Sequence, residues 1–248
     1  MKIKSVLILS YILVSILNIP RGFSQKQGYY IEEEMTSPPI FGMAGENTLT
    51  RTWILDDKIR RDEEDKLQTT IIRSDLGQIW IINHRDTTYR EVSQEMFQGL
   101  AMIGLMMFGV TFDSLTGEPI VPDPLFQKTG STRQIGKWSA REYVVVPKGE
   151  GSIPNSMKRL SLWLSRDAGL DSRIYSRMMR KMFGDLGSDY DDFFRQLESM
   201  EGYPVLVETR MMGMEMKQKL IGIEERNIPL SLFDIPKGYK KQALDFFE

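Results

Sequence analysis

The chain has no cysteine and a single histidine, His84, among its 248 residues. The first absence excludes a disulfide scaffold, a thiolate metal site and a lipidated N-terminal cysteine. The second excludes a zinc site, which draws on several His or Cys ligands. There is no Gly-x-Ser-x-Gly elbow, no Walker phosphate loop and no Gly-x-Gly-x-x-Gly fingerprint. The protein is therefore expected not to be an enzyme and to use neither a cofactor nor a metal. Hydrophobic runs are short as well. Val6–Ile19 and Met96–Val110 both fall below the roughly 20 apolar residues that span a bilayer.

The first of those runs follows Lys2 and Lys4 and precedes the small residues Gly22 and Ser24. A positive start, a short apolar stretch and small residues at the −3 and −1 positions form an export signal. Residues 1–24 are read as a signal peptide cleaved after Ser24, which predicts a periplasmic or secreted protein with no membrane anchor after cleavage. Residues 25–248 are expected to form a single β-rich domain with helical insertions near 93–130 and 170–200. Lys2, Lys4 and Arg21 are the only charges in the signal, so of 32 basic and 34 acidic residues the remainder keeps 29 and 34, a formal charge of −5. That balance argues against a nucleic-acid partner and against adhesion to an anionic membrane surface.

Strand patterns open the mature chain at Gly28–Met35, Thr48–Asp56, Leu67–Ile72 and Gly77–Asn83. Ile79-Trp80-Ile81-Ile82 is apolar on both faces, as in a strand covered on both sides. Arg60–Lys66 reads as a charged turn, and Glu32-Glu33-Glu34 as a solvated strand face. Short strands with turn signals between them predict an antiparallel meander. Ser93 stands three residues before Met96 as a helix N-cap, and residues 96–110 are apolar nearly all round, which predicts a buried helix. Residues 113–130 read as a loop. Strands resume over 132–147 and 158–165, and helices are expected over 171–183 and 188–200. In the second, Ser188 and Asp191 stand at capping-box spacing. Two long strands follow, 203–210 and 213–225, with a bulge near Lys219 where the apolar face switches. Sheet and apolar helix each need a partner, so the expected fold is α+β: a curved antiparallel sheet, or open β-barrel, wrapped round helices.

Two clusters of polar residues have bland readings. His84 lies next to Arg85 and Asp86 with no nucleophile to activate, and reads as a turn histidine. Asp185, Asp189, Asp191 and Asp192 do not follow calcium-loop spacing, whereas carboxylates in a first helical turn suit the helix dipole. The sixteen methionines, concentrated at 96–107, 178–182 and 211–216, suit either an irregular core or an adaptable lining for a hydrophobic ligand.

Several stretches carry a resemblance: Trp53–Arg60, Ile71-Ile72-Arg73-Ser74-Asp75, Ile79–Ile82, Thr87-Thr88-Tyr89, Gly202-Tyr203-Pro204-Val205 and Phe233-Asp234-Ile235-Pro236-Lys237-Gly238-Tyr239. They resemble a widespread group of uncharacterised exported bacterial proteins, itself similar to the lipoprotein-carrier superfamily. That superfamily's fold is an open antiparallel barrel around helices with an apolar cavity. The resemblance implies no catalytic residue. It implies a pocket for a lipid or lipopeptide, which the sequence reading lines with Trp80, Ile82, Met102, Met106, Phe108, Met212, Met214 and Met216. The expected function is binding or carrying a lipid-like ligand in the envelope. The alternative is a non-enzymatic interaction or structural protein whose groove is filled by its own helix.

Overall fold

Between Lys58 and Val92 the backbone repeats every ten residues although the sequence does not. Strands β3 (Lys58–Glu63), β4 (Gln68–Arg73) and β5 (Gln78–Asn83) alternate with four-residue turns, and β6 (Thr88–Val92) ends the run. The last residue of each turn is left-handed: Leu67 at φ 51°, Gly77 at 62° and Thr87 at 51°. Glycine adopts this conformation freely, whereas other residues pay about 1–2 kcal/mol. Leu67 is 47% exposed and has little burial to lose. Leu67→Gly is thus expected to raise the unfolding free energy by roughly 0.5–1 kcal/mol in a urea melt, after glycine's own entropy cost. A decrease would show that the leucine's contacts outweigh its strain.

The computed structural model describes residues 25–38, 46–93, 96, 110–145, 158–170, 172–183, 190–211 and 214–243. The other strands are β1 (Gln25–Ser37), β2 (Glu46–Leu55), β7 (Thr111–Phe112), β8 (Pro119–Ile120), β9 (Phe126–Ile135), β10 (Trp138–Val145), β11 (Lys158–Ser165), β12 (Tyr203–Met211), β13 (Met214–Pro229) and β14 (Lys240–Gln242). Twelve of them form one sheet in the order β14-β6-β5-β4-β3-β2-β1-β13-β12-β11-β10-β9, with β7 and β8 paired apart. Neighbours are antiparallel except β14 and β6. Two meanders therefore meet where β1, near the start of the described chain, lies along β13, near its end. Among the described residues β9 and β14 pair on one side only, so the sheet is open.

Several expectations are corrected. Arg60–Glu63, read as part of a turn, lies in β3, where Arg60 pairs with Asp62 and Arg61 with Glu63 on alternate faces of the strand, and only 64–67 turn. The loop expected over 113–130 ends earlier, since Phe126–Gly130 opens β9. The strand expected over 132–147 is a hairpin around Gly136, at φ 55°. The bulge falls at Ile221, where Glu32 faces Gly222 and Glu33 faces Leu220. The helices are α1 (Ser172–Phe183) and α2 (Asp191–Ser199). The second starts three residues later than expected, with Tyr190 at its N-cap and Asp191 and Asp192 in its first turn. Ser188 lies outside the described residues. The Ser93 cap is present: the Met96 amide donates to its Oγ at 3.3 Å. The apolar segment between Met96 and Val110 lies outside the described residues.

The two faces of the sheet are covered differently. On one, α2 buries Phe193, Phe194 and Leu197 against Leu160, Leu162 and Leu164, and Ile174 of α1 and Met96 pack on a cluster that includes Ile31 and Ile79. This is the inner face. On the other, a strap of residues 230–239 lies over β2–β5. Phe233 is fully buried there with Leu55, Ile71, Trp80, Ile82 and Ile228, and Ile235 and Tyr239 pack beside it. The expected sheet around helices is thus found with the sheet dominant and α1 and α2 on one side.

Two arginines hold the strap. Arg60 donates to the Leu232 carbonyl at 2.9 Å and lies over the Trp53 ring. Arg73 reaches the Phe233 carbonyl at 3.4 Å and is itself fixed by two 2.8 Å hydrogen bonds to Asp75. His84 adds a third tie. Thr69 donates to Asp62 at 2.7 Å, so its oxygen accepts from His84 Nε2 at 2.7 Å, and His84 Nδ1 then accepts the Tyr239 hydroxyl at 2.7 Å. His84 does sit in a turn, as expected, but as a fastening. Three of the stretches that carry the sequence resemblance, Trp53–Arg60, Ile71–Asp75 and Phe233–Tyr239, meet in this one assembly.

Candidate binding face

Direct cross-strand pairing defines the inner face row by row. Val92, Ile79, Ile72, Ile59, Ile54 and Tyr29 follow one another from β6 to β1. The next row is Ile81, Thr70, Arg61, Thr52, Ile31 and Ile223. Beyond it come Gln68, Glu63, Thr50, Glu33 and Leu220, then Thr48, Met35, Gln218 and Val207. The face therefore grades from wholly apolar to polar over two strand repeats, about 14 Å.

Its polar end is unusually deep. Thr48 and Thr50 are each 1% exposed and Thr52 6%. Glu33 keeps partial solvent contact, yet protein surrounds its carboxyl so closely that burial raises its pKa against the opposing pull of the Arg61 charge and a Gln218 hydrogen bond. That bond, from Gln218 Nε2, is 2.8 Å long. The neighbouring acid, Glu63, is differently placed: Lys66 pairs with it at 2.9 Å and Arg61 at 3.7 Å. Opposite Glu33 on β2, the Thr50 hydroxyl is buried with no hydrogen-bond partner among the described residues. Burying such a group unpaired costs about 1–3 kcal/mol. Chemically this is a patch rich in acceptors beside an apolar wall, and it can orient the polar end of an amphiphile.

The sequence-derived lining is scattered. Trp80 and Ile82 lie on the outer face under the strap, because β5 alternates and Ile79 and Ile81 take the inner positions. Met216 lies on the inner face opposite Thr209 and is partly buried. Met214 pairs with Met211 where β12 and β13 meet, and its side chain lies outside the described residues. Met102, Met106, Phe108 and Met212 lie outside the described residues. Glu33, Thr50 and Gln218 were missed. Thr48, Thr50 and Thr52 recur at every second position, which marks one strand face. Their alternation with Leu49 and Trp53 makes the wrong side of β2 look like the core.

Part of the sequence also matches a family model. Residues 129–239 match a domain of unknown function, DUF4412. The DUF4412 match runs from β9 to the end of the strap and includes Gln218 but neither Glu33 nor Thr50. No curated protein matches the sequence. Among solved structures, the chain is similar to an uncharacterised conserved protein from Thermus thermophilus, with 10% identity over 94% of this chain and 99% of that one and a TM-score of 0.46. It is also similar to a LolA superfamily protein from Nitrosomonas europaea, with 9% identity, 91% and 96% coverage and a TM-score of 0.32. A third is an outer membrane lipoprotein-sorting protein domain from Vibrio parahaemolyticus, with 8% identity, 87% and 91% coverage and a TM-score of 0.28. The match to a domain of unknown function agrees with the resemblance to a group of uncharacterised proteins. Among the described residues no helix is long and apolar enough to cross a membrane.

Proposed function

We propose that this is an exported protein that binds a lipid-like amphiphile on the inner face of its sheet and carries it in the cell envelope without chemistry. The observation that carries the reading is the polarity gradient of that face, from the Val92–Tyr29 row to the Glu33–Thr50 patch. The lining is then Tyr29, Ile31, Ile81, Ile223 and Met216, with Trp80 and Ile82 given over to the strap. Affinity comes from apolar area removed from water, at about 25 cal/mol per Å².

A second reading keeps the protein non-enzymatic but fills the groove from within, as an interaction or structural protein. It draws on Met96 and Ile174, which already pack against the inner-face cluster. One experiment separates the two. Protein isolated natively from its own envelope is extracted with organic solvent, and the extract is quantified against protein by mass spectrometry. A carrier yields an amphiphile approaching one per chain. Protein that is empty, and that refuses long-chain amphiphiles added afterwards, belongs to the second reading.

A further inference from the structure

We propose that Glu33, Thr50 and Gln218 form a head-group anchor for a cationic hydrogen-bond donor, a primary ammonium at the end of an acyl or alkyl chain; this rests on the amphiphile-binding reading above.

The case begins with what the two acids flanking Thr50 already hold. Glu63 has Lys66 at 2.9 Å and Arg61 at 3.7 Å. Glu33, two strand pairings away across Thr50, has one donor, the Gln218 amide at 2.8 Å, and no ion-pair partner among the described residues. A carboxylate offers about four acceptor sites, so most of its capacity is open. Thr50 is the second, independent observation. Its hydroxyl is 1% exposed, lies on the same face directly opposite Glu33, and bonds to nothing among the described residues. Buried polar groups are normally paired, and one left alone calls for an occupant or a cost. Here the two groups with spare capacity are neighbours.

The chemistry of the pair selects its ligand. An ammonium carries three donors and a positive charge. It satisfies the carboxylate and the Thr50 oxygen together, and it cancels the buried negative charge that burial penalises. A carboxylate or phosphate head meets Glu33 as a like charge, and the one guanidinium near it among the described residues, Arg61, is already turned to Glu63. A hydroxyl head can bond but brings no charge. Ile31 and Tyr29 continue the same face of β1 from Glu33, with Ile223 beside Ile31 on β13; Ile31 is 1% exposed, so a tail anchored at Glu33 reaches these apolar rows by displacing what covers them.

The test uses the full mature chain and three probes of equal length, dodecylamine, dodecanol and dodecanoate, each below its aggregation threshold and titrated calorimetrically near neutral pH. The anchor predicts that the amine binds at least about tenfold tighter than the alcohol and that the acid binds weakest. Glu33→Gln keeps a partner for Gln218 and removes the charge; it abolishes the amine's advantage, so that amine and alcohol bind the variant with equal affinity. Thr50→Val removes the unpaired hydroxyl and weakens the amine by roughly threefold, a loss of about half a power of ten. If all three probes bind equally, or Glu33→Gln leaves the amine's advantage intact, the anchor is wrong and amphiphile binding stands. If no probe binds to the wild-type protein, the anchor and the amphiphile-binding reading fall together.

Discussion

Phe233→Ala lowers the free energy of unfolding by about 3–5 kcal/mol, the range for emptying a closed core site of an aromatic ring, which for a chain of this size shifts the melting temperature by roughly 10 °C. Phe233 is fully buried among Leu55, Ile71, Trp80, Ile82 and Ile228, drawn from three strands of the first meander and the end of β13, so no single neighbour can fill the void. The loss also weakens the fastenings on either side, because Arg60 and Arg73 hold the carbonyls of Leu232 and Phe233. The strap should therefore detach as a unit. Hydrogen exchange in the variant is expected to show protection lost along 230–242 and β6, to which β14 pairs, before it is lost in β1 and β13. A variant as stable as wild type would mean that the strap lies on the sheet without stabilising it.

The strap is also expected to loosen in strong acid. Hydrogen bonds from Arg73, with Lys58 beside them, hold the Asp75 carboxyl far below the usual carboxylate range. A depressed folded-state pKa contributes stability above the unfolded value, near 3.9, and that contribution is lost as pH falls through the folded value. Asp75→Asn is thus expected to cost stability at neutral pH and to cost progressively less in strong acid, as followed by thermal melts across that range.

Glu33→Gln is expected to do the opposite and stabilise the free protein at neutral pH. Burial raises the Glu33 pKa above its unfolded value. Below the unfolded value the residue is neutral in both states and costs nothing. As pH rises through the window up to the folded value, the unfolded chain releases the proton more readily, so stability falls and stays lower above it. Removing the charge removes that penalty, and the melting temperature should rise by a few degrees at pH 7, at roughly 2–4 °C per kcal/mol for a chain of this length. In acid the gain disappears. A residue that destabilises the fold at working pH is the signature of a site kept for binding. If Glu33→Gln is destabilising at neutral pH, the carboxylate is a structural partner for Gln218 and Arg61, and its place in the anchor is lost.

How much of this the residues announce differs from strand to strand. β5 is legible on both sides, since Ile79-Trp80-Ile81-Ile82 demands cover above and below and has it, from the inner cluster and from the strap. The Ser93 cap, α1 and β11 lie close to where local chemistry puts them. β2 misleads. Reading apolar as inward points Leu49 and Trp53 at the core, whereas the threonines between them are the buried set. Trp53 instead carries Arg60 and packs with Tyr30 at 5.3 Å on the outer side. Glu33 is hidden for a related reason. In Glu32-Glu33-Glu34 three like residues look equally solvated, and alternation sends only the middle one inward.

By itself the sequence determined most of the strands and the two helices α1 and α2, the antiparallel character of the first strands, and the exclusion of disulfides and histidine-built metal sites. These follow from residue types and their spacing within a few neighbours along the chain. Only the tertiary structure decided which face of each strand is inside, where the polar end of that face lies, and what covers Trp80. Those outcomes depend on β1 meeting β13 across nearly the whole chain, and on a segment near the C-terminus returning to the first meander. Pattern reports that a strand has two unlike faces; which one is buried is settled by whatever distant segment arrives to cover it.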